Sequence, residues 1–386
     1  MSIDLAVESL PGAQLHSTLA AMREQNPITP VLFGGLEAFV ITGHAALAEA
    51  FKDNDRFPPA DAYRITIEPV QGVTFQTMED ADHRIYRRLA TPAFRSSAVE
   101  AMEQEGLANI SHELIDRLQD VRSADLAEAF THIVAFLVIS RMLGIPPLRE
   151  NVFRDWAVGF LAFSRDPEHS RHCAALISEY VMPIIAERRR EPRDDVISGL
   201  VLADADGHRL EDEEILAHIR LLFSAGASTT TDALGNLLWA LLREPALWDQ
   251  LRAEPGLRAN AIEELLRWET PVAVLPRISA PRVVDFCGVQ IPPSTFTLFA
   301  MAAANRDPEV FEDGDRFDIH RDSSRKLLSF GPGPRLCPGM HLARRQLSVI
   351  LDVLMERLPG LRLIDPEQAA PRGALLRGPE RLEVRW

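Results

Sequence analysis

Phe330-Gly331-Pro332-Gly333-Pro334-Arg335-Leu336-Cys337-Pro338-Gly339 decides how the rest of this 386-residue chain is read. Glycine permits positive φ and proline pins φ near −65°, so glycines alternating with prolines around one cysteine specify a tight, stiff loop. Such a loop holds Cys337 in one place. Just after it, Leu342, Leu347, Ile350, Leu351 and Leu354 share one side of a helix expected from about His341 to Leu358, with Gly360 as its stop. The dipole and free amides of a helix N-terminus favour negative charge and lower a thiol pKa. A thiolate is therefore expected at position 337.

The other cysteines, Cys173 and Cys287, are isolated. Three cysteines make no disulfide framework, and an odd count fits a reducing compartment. For a lone cysteine in an ordinary loop the plain reading is a small buried side chain. Zinc would need three or four ligands, usually in paired spacings. Axial ligation of heme iron needs one cysteine and nothing more from the sequence, so heme thiolate outranks zinc.

Against 41 Lys and Arg stand 56 Asp and Glu, a formal charge of −15, which argues against nucleic acid or an anionic membrane surface as partner. With 46% hydrophobic and 25% charged residues the composition is that of a globular protein. Met1 to Gly12 shows no basic region followed by an apolar core. The longest apolar run, Ile133 to Ile139, is far short of the ~20 residues of a spanning helix. A cytoplasmic protein without a membrane span is expected.

No repeat or flexible linker divides the chain, so residues 1–386 read as a single domain. Val31 to Phe33 and Ala38 to Thr42, joined by Gly34-Gly35-Leu36-Glu37, predict a hairpin. From about Ala45 to Trp268 the period is helical, as in Leu107, Ile110, Leu114, Ile115 and Leu118 and again in Leu176, Ile177, Val181, Ile184 and Ile185. Pro146-Pro147, Pro167, Pro192 and Pro245 punctuate these helices. Beyond Trp268 come short strands, Val283 to Phe286 and Val289 to Ile291 around Cys287-Gly288. The fold class is mainly α with minor β.

The cysteine loop resembles the heme-binding signature of the cytochrome P-450 family, whose Phe, Gly, Gly, Arg or His, Cys and Gly match Phe330, Gly331, Gly333, Arg335, Cys337 and Gly339. The order of the other segments agrees over essentially the whole chain after the first ~25 residues. The resemblance implies the P-450 fold, a helical bundle with small β-sheets enclosing heme b (iron protoporphyrin IX), with Cys337 as the iron ligand. Glu264-Leu265-Leu266-Arg267 resembles the family's ExxR helix, with Arg316 as the implied third member of an ion network. Where the family usually has proline, Gly314 stands, so a looser turn is expected. His83, Arg87, Arg277 and Arg335 resemble the family's cations for the heme propionates, which need charge-assisted hydrogen bonds inside a protein. Asn305-Arg306-Asp307-Pro308 resembles a family segment linking sheet to meander.

Glu211 to Arg243 reads as one long helix interrupted in texture at Phe223-Ser224-Ala225-Gly226-Ala227-Ser228-Thr229-Thr230-Thr231-Asp232. Gly226 and threonine hydroxyls that bond back to carbonyls predict a kink or widened turn there. A plain helix crossing built on small residues is the alternative. The resemblance implies that Ala225 and Gly226 face the oxygen pocket and that Thr229 helps deliver protons. The family usually has Asp or Glu just before that threonine, and here Ser228 takes its place. Ser228 with ordered water, or Asp232 four residues on, is the expected substitute.

The implied reaction is hydroxylation: one atom of O2 enters a C–H bond of a hydrophobic small molecule and the other leaves as water. The implied electron source is NAD(P)H, through a ferredoxin reductase and a ferredoxin docking near Arg88, Arg344 and Arg345, although a solvated face explains those three equally. Alternatives are a peroxide-driven peroxygenase of the same fold, a heme-thiolate isomerase or dehydratase, and a heme gas sensor. By resemblance the substrate pocket would be lined by Phe57 to Met78, Trp156, Phe160, Phe163, Val272 to Leu275 and Leu375-Leu376, with Tyr63 or Arg64 available for a polar end.

Overall fold

A computed structural model describes residues 3–91, 106–145, 150–160, 163, 166–322 and 326–386; Pro146-Pro147 lies outside them. The first third runs α1 (Ala13–Gln25), β1 (Ile28–Phe33), β2 (Leu36–Ile41), α2 (His44–Ala50), α3 (Pro59–Thr66), α4 (Glu68–Gln71), α5 (Asp80–Ala90), α6 (Leu107–Asp116) and β3 (Ser123–Asp125). The middle is helical: a π-turn at Ala127–Thr131, then α7 (His132–Met142), α8 (Glu150–Phe160), α9 (Pro167–Arg190), α10 (Val196–Leu202) and α11 (Asp212–Phe223). A second π-turn, Ser224–Ser228, joins α11 to α12 (Thr229–Leu242), followed by α13 (Pro245–Ala253) and α14 (Arg258–Trp268). The last part holds β4 (Leu275–Ile278), β5 (Val284–Phe286), β6 (Val289–Ile291), β7 (Phe296–Phe299), α15 (Met301–Ala304), α16 (Met340–Arg357), β8 (Arg362–Leu363) and β9 (Glu383–Arg385).

The expected hairpin forms with Ile28 opposite Ile41 and Phe33 opposite Leu36. Gly34 and Gly35 both take positive φ, the backbone a two-residue hairpin turn requires. β2 then pairs in parallel with β7, and β7 pairs antiparallel with β4, giving the order β1-β2-β7-β4. β3, β9 and β8 form a second small sheet, and β5 with β6 a third. The main core lies among the helices, where Leu234, Leu237, Leu238 and Leu241 of α12 meet Leu347, Ile350, Leu351 and Leu354 of α16. The sheet that carries Arg277 is sealed by a separate cluster, in which Phe57 stacks edge-on against Phe286 and Phe299. Phe57 is thus a core residue rather than a pocket wall.

Pro167 and Pro245 stand at helix starts, as their spacing predicts. Pro183, by contrast, lies inside α9, a position the helical period alone did not mark.

The candidate heme site

α14 and the chain after α15 build the support of the cysteine loop. Glu264 and Arg267 are wholly buried and form a bidentate pair, Arg267 Nε donating to Oε2 at 2.8 Å and Nη2 to Oε1 at 2.7 Å. Arg267 Nη1 also donates to the carbonyls of Asn305 and Gly314, at 2.8 and 2.7 Å. The third member is not the expected Arg316, whose side chain is exposed and pairs with Asp318. Arg321 fills the role, its Nε 3.2 Å from Glu264 Oε1. Arg316 contributes only its carbonyl, which accepts from Arg267 Nη2 at 3.1 Å.

Nor is the turn at Gly314 loose. A Cβ there would sit 2.5 Å from the carbonyl oxygen of Arg306. Backbone meets backbone at that point, and only glycine fits. Asn305 extends the network: its Oδ1 accepts from Leu328 N and its Nδ2 donates to Ser329 Oγ, each at 2.8 Å. The buried pair therefore fixes the residues that lead into Phe330.

In the loop itself Gly331 and Gly333 have φ of 66° and 100°, and a Cβ on Gly333 would come within 3.0 Å of Phe51 O. Cys337 N donates to Phe330 O at 2.9 Å, which closes the loop on itself. Burial raises the Cys337 thiol pKa above its ordinary value, against the pull of the Gly339 amide, Arg87 and Arg344. Without a bound metal, desolvation outweighs the local positive field. A bound metal would supply the remaining stabilisation of a thiolate.

α5 brings two of the expected cations to this loop. Arg87 donates to Leu336 O. His83, one helical turn earlier, is 3% exposed and its Nε2 is enclosed without a hydrogen-bond partner. Burial, then repulsion by Arg335 and Arg87, pushes its pKa down to about 4. Arg335 donates to the carbonyls of Phe75 and Met78 and pairs with Asp80 at 3.2 Å, yet its Nε is also enclosed and unpartnered. Arg277 is buried on β4 over the Tyr63 ring at 5.2 Å and lies close enough to repel Arg335.

Three guanidinium groups and an imidazole thus gather beside Cys337 with Asp80 as the carboxylate paired among them. Two of their nitrogens, Arg335 Nε, a donor, and His83 Nε2, are buried and unsatisfied, a costly arrangement without a partner. This donor set fits a group carrying two carboxylates and a metal that accepts sulfur.

The π-turn bears out the widened helix. Ser228 Oγ and Thr229 Oγ1 bond back to the carbonyls of Ser224 and Ala225 at 2.7 and 2.6 Å, competing with the amides that would otherwise close α-turns. From Ser224 to Thr229 no residue is buried and Ala225 is exposed, although Phe223 and Thr230 on either side are buried. Asp232 abuts Gly378, where a Cβ would collide with its Oδ1. Burial alone raises its pKa to about 7.

Val272 bridges to Leu376 and Ala273 N donates to Leu375 O, so those two segments, expected to line the pocket, meet. Arg64 is engaged by Asp61, Glu79 and the Thr77 carbonyl. Arg88 pairs with Asp206, while Arg344 is bidentate to Glu263 and lies over Phe330. Arg344 therefore braces the loop instead of standing free for a partner.

The fold and this site define a class: residues 151–256 and 257–381 match the family model Cytochrome P450, and the chain belongs to that family. It is 34% identical to Cytochrome P450 107B1 of Saccharopolyspora erythraea, over 99% of this chain and 97% of that one. It is 34% identical to the mycinamicin IV hydroxylase/epoxidase of Micromonospora griseorubida, over 97% and 96%. The solved structure of the bacillaene polyketide synthase cytochrome P450 PksS of Bacillus subtilis superposes with a TM-score of 0.88 at 29% identity, covering 96% of each chain. The chain is accordingly a heme-dependent monooxygenase, an oxidoreductase acting with O2 on a small molecule. Among the described residues no helix is long and apolar enough to cross a membrane.

Proposed function

We propose that the chain, as one domain, binds iron protoporphyrin IX through Cys337 and hydroxylates a hydrophobic small molecule, with electrons passed from NAD(P)H by a ferredoxin reductase and a ferredoxin. One observation carries this reading: the stiff loop that presents Cys337 lies among four cationic or donor side chains, two of them with a buried nitrogen left unpaired. His83, Arg87, Arg277 and Arg335 would hold the two propionates, and the rigid turns at Phe330, Gly331 and Gly339 would keep sulfur at a fixed distance from the ring. When bound, the heme supplies the redox chemistry, its thiolate ligand pushing electron density that favours O–O cleavage.

The chain supplies position and protons. Ala225 is exposed at the widened turn, whereas Gly226 packs against Ile139, where a Cβ would come within 2.7 Å of Ile139 Cδ1; Thr229 Oγ1 can exchange its bond to the Ala225 carbonyl for one to oxygen. Ser228 replaces the usual acid, so its hydroxyl can hold water but does not provide a proton of suitable pKa. Asp232 does: burial keeps it protonated up to about neutral pH. Apolar walls at the expected pocket segments would exclude water and retain an apolar substrate.

Ser228 also favours the second reading, a peroxide-driven enzyme, because peroxide brings its own oxygen, electrons and protons. Supplying the holoprotein either with NADH, ferredoxin and reductase or with hydrogen peroxide separates the two. The proposal expects product from the electron chain at a rate at least tenfold above that with peroxide; the reverse ratio overturns the ferredoxin assignment.

A further inference from the structure

Inside this protein arginines are usually matched by acids: Arg188 by Asp195, Arg267 by Glu264, Arg377 by Glu269. Arg87 and Arg277 are not, and both are assigned above to an anionic group. Arg220 of α11 shares that signature. It is half-buried, and no carboxylate lies within ion-pair distance of it among the described residues. Its Nη1 reaches Gln71 O at 3.4 Å and its Nη2 reaches Ala174 O at 3.4 Å, both marginal bonds; Ser178 Oγ is its one close partner. Its Nε is enclosed and has no acceptor at all. Burial lowers its pKa, offset in part by the nearby charge of Glu213. A guanidinium has five donors in a planar fork shaped for a carboxylate, and here that fork is poorly satisfied.

Two neighbouring segments approach the fork. Gly72, at φ 88°, lets the chain after α4 cross close to the fork; a Cβ there would sit 3.0 Å from Ala217. One turn along from Arg220, Ser224 Oγ is shared between the Leu221 carbonyl at 3.0 Å and Gln71 Oε1 at 3.3 Å, and a stronger acceptor can replace the longer contact. Ser224 is also the first residue of the widened turn. Arg220 precedes Thr229 by nine positions, ~13 Å along the axis at ~1.5 Å per residue. A single guanidinium, with only Glu213 acting on it from beyond ion-pair distance, matches a monoanion, whereas a phosphate dianion would leave charge uncompensated.

We infer that Arg220, with Ser178 and Ser224, anchors the carboxylate of an amphipathic substrate, so that the preferred substrates are monocarboxylic acids whose apolar body runs along α11 toward the widened turn. This inference rests on the heme-thiolate reading above and names the substrate class of that same site. It places the oxidised carbon on the order of 10 Å from the carboxylate, away from the α and β carbons.

The test is a titration of the holoprotein with dodecanoic acid and with its methyl ester, followed by the shift of the heme spectrum on displacement of iron-bound water. The expected result is at least tenfold tighter binding of the acid, although the ester is the more apolar ligand. Arg220→Gln should abolish that preference by weakening the acid alone, and Arg220→Lys should retain part of it. Equal affinities in the unaltered protein overturn the inference, as does an undiminished acid preference in Arg220→Gln. If that variant fails to fold, the acid-to-ester ratio of the unaltered protein and of Arg220→Lys decides. A holoprotein without a thiolate-type carbonyl spectrum refutes the underlying reading instead; a normal spectrum without acid preference refutes only the anchor.

Discussion

Asp232 is the residue at which environment most changes chemistry. No charged group shifts its side chain: Gly378 opposes it, and Arg377, next in the chain to Gly378, turns away to Glu269. Burial therefore acts alone, raising the pKa to about 7 and leaving a protonated acid at pH 6 and a buried anion at pH 8. If this proton feeds Thr229, the fraction of reductant converted to product falls as pH rises through about 7, with peroxide appearing in its place. Asp232→Asn should lose that pH dependence and stay at the low, alkaline value; measuring product and peroxide per NADH across pH 6 to 8 checks it. An unchanged profile in the variant would put the relay elsewhere. Cys337 shows two opposed pulls: the helix that follows it favours a thiolate, and burial without a bound metal raises its pKa.

At the scale of elements, the turn around Gly314 makes the sharpest claim. The carbonyl of Gly314 accepts from Arg267 while its Cα faces Arg306 O, so a methyl group there must move backbone that carries the buried ion network. Gly314→Ala is expected to cost about 1 to 3 kcal/mol, read from urea unfolding of the holoprotein, despite being a one-carbon change. The hairpin at Gly34-Gly35, the widened turn and the helix after Cys337 were legible in the sequence, because turn chemistry and helical period are local. Arg321 was not. Arg316 and Arg321 sit five residues apart in one loop, and only the fold decides which guanidinium reaches Glu264. The role of Asn305 in bonding Leu328 and Ser329 was hidden for the same reason, as was Arg220, whose lack of an acid is visible only once its neighbours are known.

Across the whole molecule one buried network joins both ends of the chain to the centre. Glu269, at the end of α14, pairs with Arg377 at 2.5 Å and with His16 of α1 at 3.0 Å, and Arg306 lies 3.5 Å away. Arg377 also donates to the carbonyls of Leu10 and Gly12, and Asn236 bonds the Glu269 and Arg377 carbonyls from α12. His16 is held neutral by burial and by repulsion from Arg306, its pKa lowered to about 4, while burial opposes and the neighbouring cations prevail in holding Glu269 below the carboxylate range. Unfolded, His16 would bind a proton near pH 6.5, so the unfolded state takes up more protons between pH 6.5 and 4. Stability should therefore decline with acidification through that window, by at most ~1.4 kcal/mol per pH unit from this group, and His16→Gln should flatten the slope in thermal unfolding. No sequence pattern shows this network, since its members stand at positions 16, 236, 269, 306 and 377.

Every scale converges on one proposed bond, that of Cys337 to heme iron. The carbon monoxide spectrum of the reduced, heme-loaded protein, compared with that of Cys337→Ser, tests it most directly. The account predicts a thiolate-type maximum in the unaltered protein and its loss in the variant; an imidazole-type maximum in the unaltered protein, or a spectrum indifferent to the substitution, would contradict it.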